Sequence, residues 1–152
     1  MHSDGKHLYS GSDSGDPVIR VYNQDMDLME VLKGHVGSVF CIVTDSDHLV
    51  TGSGDATVKI WKKEGWSNID SITAQTHFVL SLAIDEKHIY AGGIDNCTNV
   101  FSRNTLRRIA SLYGHEASIF SIAVDENYVY SGSGDSGGVD LDLLDLRLLR
   151  AL

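Results

Sequence analysis

The sequence predicts an all-β fold, a β-propeller made of about four four-stranded antiparallel blades. The first observation is an internal repeat. Gly11, Gly52, Gly92 and Gly132 each close a short apolar stretch, and they lie 41, 40 and 40 residues apart. The second is composition. Each unit holds short runs rich in β-branched and aromatic residues, such as Val39-Phe40-Cys41-Ile42-Val43 and Val58-Lys59-Ile60-Trp61, separated by Gly, Ser, Asp and Asn. The third is period. About forty residues with three to four strands is the length of a propeller blade, a sheet that must stack on its neighbours to hide its faces.

The markers recur in register. His7-Leu8-Tyr9-Ser10-Gly11 returns as His48-Leu49-Val50-Thr51-Gly52, His88-Ile89-Tyr90-Ala91-Gly92 and Tyr128-Val129-Tyr130-Ser131-Gly132. An upstream marker, Val39-Phe40-Cys41, returns as Val79-Leu80-Ser81 and Ile119-Phe120-Ser121. No segment carries a helical period longer than about a dozen residues.

Bulk properties narrow the function. The 152 residues include 12 Lys plus Arg and 21 Asp plus Glu, a formal charge of -9. A field of that sign disfavours nucleic acid and anionic membrane surfaces. No apolar run approaches the roughly 18 residues of a membrane helix. Cys41 and Cys97 lack metal-type spacing and read as small packed thiols, which points to a reducing, cytoplasmic setting. The histidines show no ligand pattern, because His7, His48 and His88 merely share one repeat position. Neither a metal nor a cofactor is expected.

Gly34-His35 followed by Gly52-Ser53-Gly54-Asp55-Ala56-Thr57-Val58-Lys59-Ile60-Trp61 resembles a nearly complete WD repeat. Gly114-His115 followed by Ser131-Gly132-Ser133-Gly134-Asp135 is a second partial match. The resemblance spans the chain as a single propeller segment, residues 1–152, with blades at 5–34, 35–74, 75–113 and 114–152. It implies strands a to d from the axis outward. Blade one has b near 7–11, c near 18–22 and d near 28–33, and lacks its inner strand. Blade two has a 38–43, b 48–52, c 57–62 and d 68–73. Blade three has a 78–84, b 88–92, c 98–102 and d 106–112. Blade four has a 118–124, b 128–132, c within 137–142 and d 146–152.

His35, Thr51 and Asp55 could suggest nucleophilic catalysis. The resemblance implies a structural hydrogen-bond network instead, completed by Trp61, with His115, Ser131 and Asp135 as the blade-four counterpart. Recurrence once per repeat favours scaffold, since an active site needs one copy. No catalytic residue and no enzyme activity are expected. Blade three sets Gln75, Ala91 and Phe101 against His35, Thr51 and Trp61, so no four-membered network is expected there. Blade one keeps Ser10, Asp16 and Tyr22. In blade four, Asp140 falls on a core position unless the chain slips by one, which puts Leu141 there. A bulge or frayed strand c is expected near Gly137-Gly138. Trp66 reads as a cap on the blade edge. Arg103, Arg107 and Arg108 read as a solvated outer edge.

The resemblance further implies a non-catalytic protein–protein interaction scaffold whose partner proteins or peptides sit on the top face. That face is formed by the d–a loops and b–c turns. Candidate contacts are Ser38, Thr76, His77, Phe78, Ile94, Glu116 and Ser118. The alternative is an enzyme-associated propeller holding a small ligand in the central channel. Three arrangements stay open: half of a two-chain, eight-bladed homodimeric ring, a piece of a longer propeller, or a closed four-bladed monomer.

Overall fold

The structure is a computed structural model that describes residues 1–75, 77–135 and, as backbone, 142–145. All regular structure within it is β. Fifteen strands follow in chain order: β1 His2–Ser3, β2 Leu8–Gly11, β3 Val18–Tyr22, β4 Leu28–Lys33, β5 Val39–Thr44, β6 His48–Ser53, β7 Thr57–Lys62 and β8 Ser67–Thr73. They continue as β9 Val79–Ile84, β10 His88–Gly93, β11 Thr98–Ser102, β12 Arg108–Leu112, β13 Ile119–Val124, β14 Tyr128–Ser133 and β15 Asp142–Asp145. They form antiparallel meanders β1–β4, β5–β8, β9–β12 and β13–β15, one per blade.

Two expectations about strands are corrected. Blade one carries a remnant of its inner strand: β1 pairs His2 with Tyr9 and Ser3 with Leu8. The His2 ring nitrogen Nε2 reaches Thr44 Oγ1 at 3.0 Å and ties this remnant to blade two. Strand c of blade four lies at 142–145, beyond the expected 137–142. Its register sets Leu144 opposite Val129 and Leu143 opposite Tyr130, as Trp61 faces Leu49 and Ile60 faces Val50 in blade two. The consecutive leucines match the apolar pair of the repeat, whereas Asp140-Leu141-Asp142 would put carboxylates at those positions. Leu141, Gly137-Gly138 and the expected strand d at 146–152 lie outside the described residues.

The core lies between blades. Tyr9, Ile19, Val21 and Leu32 of blade one close on Val39, Leu49 and Trp61 of blade two. Val58, Ile60 and Ile72 close on Val79, Leu82, Ile89 and Phe101 of blade three. Tyr90 and Val100 meet Val129 of blade four. The repeated glycine of strand b makes room for this stacking. A Cβ at Gly52 would sit 2.6 Å from Val79 Cγ1, and one at Gly92 would sit 2.6 Å from Ile119 Cγ2. Any side chain there would force the blades apart.

Charged struts join the blades on the bottom face. Lys63 Nζ reaches Asp4 Oδ2 at 2.6 Å and the Asp45 carbonyl at 2.6 Å. One repeat later, Arg103 pairs with Asp45 and donates to the Asp85 carbonyl at 2.8 Å. Arg103 therefore bridges two blades, correcting its assignment to a solvated edge; Arg107 and Arg108 are exposed. Trp66 packs edge-on to His7 at 5.4 Å and Tyr9 at 6.1 Å, lidding the first interface.

Candidate interaction face

The top face is built on hydrogen-bonded frames that differ between blades. In blade two, Trp61 Nε1 donates to Thr51 Oγ1 at 2.9 Å, and Thr51 Oγ1 meets His35 Nε2 at 2.9 Å. His35 Nδ1 lies 2.8 Å from Asp55 Oδ2, which also accepts the Val36 amide at 3.0 Å. Thr57 donates its amide and hydroxyl to Asp55 Oδ1. Each group is satisfied if neutral His35 donates from Nδ1 and accepts the Thr51 hydroxyl on Nε2, a tautomer assigned from the network. Burial lowers the His35 pKa against the pull of the Asp55 carboxylate, keeping the ring neutral. Desolvation would raise Asp55, but hydrogen bonds from Thr57, Val36 and His35 outweigh it and hold the carboxyl at about 2. The frame has every proton committed, so it offers no free base for a nucleophile.

Blade four brings together three partners. His115 Nε2 meets Ser131 Oγ at 2.9 Å, and His115 Nδ1 lies 3.4 Å from Asp135 Oδ2. The Glu116 amide donates to Asp135 Oδ2 at 2.7 Å. Blade three builds a frame from other residues. Gln75 Nε2 donates to the Ala91 carbonyl at 2.7 Å. Asn99 Nδ2 donates to Gln75 Oε1 at 2.8 Å and to the Ala74 carbonyl at 3.0 Å, while Ser111 Oγ donates to Asn99 Oδ1 at 2.5 Å. Asn99 stands where blade two has Lys59, a position that periodicity reads as solvated, so sequence reasoning missed it. In blade one the structure joins Asp16 to Arg20 at 2.8 Å and does not bring it to Ser10.

On these frames lies an apolar strip. The a–b ladder skips one residue in each of blades two, three and four, between Val39 and Cys41, at Gly92/Gly93, and between Ile119 and Ser121. Such a bulge re-aims a side chain that alternation would bury. The skipped residues are Phe40, Leu80 and Phe120. Phe40 is 48% exposed and Phe120 61% exposed. The Phe40 ring lies 5.8 Å from that of Phe78, itself 45% exposed. The Phe78 carbonyl accepts the Ile94 amide at 3.4 Å, which sets Ile94 beside it.

The other candidate contacts surround this strip. Ser38 Oγ donates to Asp13 Oδ1 at 2.5 Å, and the Ser38 carbonyl accepts the Gly54 amide at 2.8 Å. His77 is exposed. Glu116 is exposed, and its carbonyl accepts Asn96 Nδ2 at 3.0 Å. The Ser118 carbonyl accepts the Gly134 amide at 3.2 Å. Thr76 lies outside the described residues. Phe40, Phe120 and Asp13 were not singled out from sequence, because the phenylalanines read there as part of a strand.

Comparison with known proteins agrees with this geometry. The WD40 family model (WD domain, G-beta repeat) matches residues 26–62 and 106–137. The chain carries WD40 repeats in these two places. Both WD matches start near an outer strand and run into the next blade, so the sequence repeat straddles two structural blades. The stretch between them carries Gln75, Ala91 and Phe101 in place of the family residues.

Among solved structures, the computationally designed Ika4 protein superposes with a TM-score of 0.82 at 20% identity, covering 94% of this chain and 87% of that one. A chain of the mitotic checkpoint complex gives a TM-score of 0.79 at 20% identity, covering 86% of this chain. This chain spans only 42% of that neighbour. At such identity the likeness concerns the fold alone. No curated protein sequence matches. Among the described residues no group of three or more His, Cys, Asp or Glu side chains could hold a metal ion.

Proposed function

We propose that this WD-repeat chain is a non-catalytic scaffold that binds partner proteins or peptides on its top face, in the cytoplasm. The observation that carries the reading is the exposure of Phe40, Phe78 and Phe120, large apolar side chains of which the first two meet across blades and the first and last lie at ladder bulges. Exposed aromatics on a rigid surface are effective anchors for a partner. The committed protons of the His35 frame support scaffold over catalysis. Affinity capture from a cell extract tests the reading when the wild type is compared with Phe78→Ala and with Lys87→Ala on the bottom face. Partners should be lost with the first substitution and kept with the second. Capture insensitive to Phe78→Ala, or abolished by Lys87→Ala, would remove the top face from the function.

A second reading, the two-chain ring, has its own support. Ser81 and Ala83 of blade three are buried beneath blade four, and Ser81 Oγ donates to the Ile119 carbonyl at 3.2 Å. Their blade-four counterparts, Ser121 and Ala123, are exposed. That face repeats the chemistry of a covered one and suits a further blade, such as one from a second copy. The solution mass of the purified chain tests it: twice 16.6 kDa is expected, and a strictly monomeric chain at high concentration rejects the ring.

A further inference from the structure

Charge is divided unevenly between the two faces. The top loops 12–17, 34–38, 54–56, 74–78, 94–97, 113–118 and 134–135 contain no lysine or arginine, yet hold Asp13, Asp16, Asp55, Asp95, Glu116 and Asp135. The bottom turns mix acids with Lys6, Lys63, Lys87, Arg103 and Arg107. Net charge alone would not give this segregation.

Not all top carboxylates face a partner. Asp55 and Asp135 are held inside their frames, and Asp16 is neutralised by Arg20. Asp95 shares a cleft with Arg108. Asp13 and Glu116 are exposed, and neither pairs with a cation among the described residues. They end a chain of contacts across the face. Asp13 accepts the Ser38 hydroxyl, two residues before Phe40; the Phe40 ring lies tilted against that of Phe78; the Phe78 carbonyl accepts the Ile94 amide; and Asn96, two residues further, donates to the backbone carbonyl of Glu116. The face thus carries an exposed acidic residue on either side of an apolar centre, Asp13 next to blade two and Glu116 next to blade three.

The geometry points to a basic extended peptide as the ligand of this surface, with one apolar side chain seated against Phe40, Phe78 and Ile94. A lysine or arginine lies on either side, toward Asp13 and Glu116. The assignment rests on the top-face reading above and adds the chemistry of the partner. Complementary charge guides encounter and rejects acidic competitors, while the aromatic centre supplies the short-range energy.

Fluorescence anisotropy on the whole chain tests it with a labelled peptide bearing one phenylalanine between two arginines. Two control peptides replace the arginines by glutamates, or the phenylalanine by serine. Saturable binding is expected for the first peptide only, weakening several-fold as salt rises from about 50 to about 300 mM. Phe78→Ala should weaken it about tenfold. Asp13→Asn and Glu116→Gln, both on exposed side chains, should each weaken it about twofold to fivefold. Unchanged melting temperatures for the last two exclude unfolding as the cause. Equal binding of the serine peptide, preference for the glutamate peptide, indifference to both charge variants, or no binding at all would each overturn the inference. Loss of extract capture in Phe78→Ala alongside any of these results would leave the top-face reading standing, so the two failures are separable.

Discussion

Blades two and three solve one structural problem with different chemistry. Each must anchor a d–a loop to strands b and c inside a stack of sheets. Blade two uses ionisable and aromatic groups in series, Trp61 to Thr51 to His35 to Asp55. Blade three uses neutral amides and a hydroxyl, with Asn99 joining Gln75 and Ser111. The requirement is a fully satisfied set of buried donors and acceptors. The identity of its members is secondary. A frame can therefore change residue types and still present the same loop, which is why Phe40 and Phe78 meet across blades whose frames share no side chain.

The sharpest way to break the comparison is at the hubs. Thr51→Val keeps shape and removes the hydroxyl that serves both the Trp61 indole and the His35 ring. Two buried groups then lose their partner, and a loss of about 3 kcal/mol is expected. That corresponds to a fall of roughly 6–12 °C in melting temperature for a domain of this size. Asn99→Ala in blade three should cost about 2 kcal/mol, because Gln75 Oε1, the Ala74 carbonyl and the part-buried Ser111 hydroxyl lose their partner while Gln75 Nε2 keeps its bond to the Ala91 carbonyl. Thermal or urea unfolding measures both. If Asn99→Ala were neutral, blade three would be held by packing alone and the equivalence of the frames would fail.

What the sequence made legible follows the same division. Where the family residues persist, strand positions and partners could be read directly: Thr57–Lys62 forms strand c, and His35, Thr51, Asp55 and Trp61 converge. The neutral frame was invisible because Asn99 occupies a position where Lys59 is charged, and no periodicity distinguishes a buried amide from a solvated one. The anchors were hidden for another reason. Phe40 and Phe120 sit inside apolar runs, and each lies at a ladder bulge, a backbone event that side-chain alternation does not reveal. The blade-four strand c was misplaced because two adjacent leucine pairings compete, and a shift in register moves each side chain to a new partner.

The smallest expected effect also separates the two frames, through protons. The His35 pKa is lowered by burial, so its share of stability is complete above the ordinary histidine value near 6.5 and is lost as pH falls below it. Asp55, held at about 2, has the same sign at lower pH: its share is present above about 4 and lost toward 2. The Gln75–Asn99–Ser111 set has no titrating member. His35→Gln places the blade-three residue in blade two. It should lower stability at neutral pH, and its melting temperature should then fall less than that of the wild type between about pH 7.5 and 5.5. The remaining histidines are common to both proteins and cancel in the difference. Parallel pH profiles would mean that His35 titrates alike in folded and unfolded chains, and that its ring is not kept neutral by the frame around it.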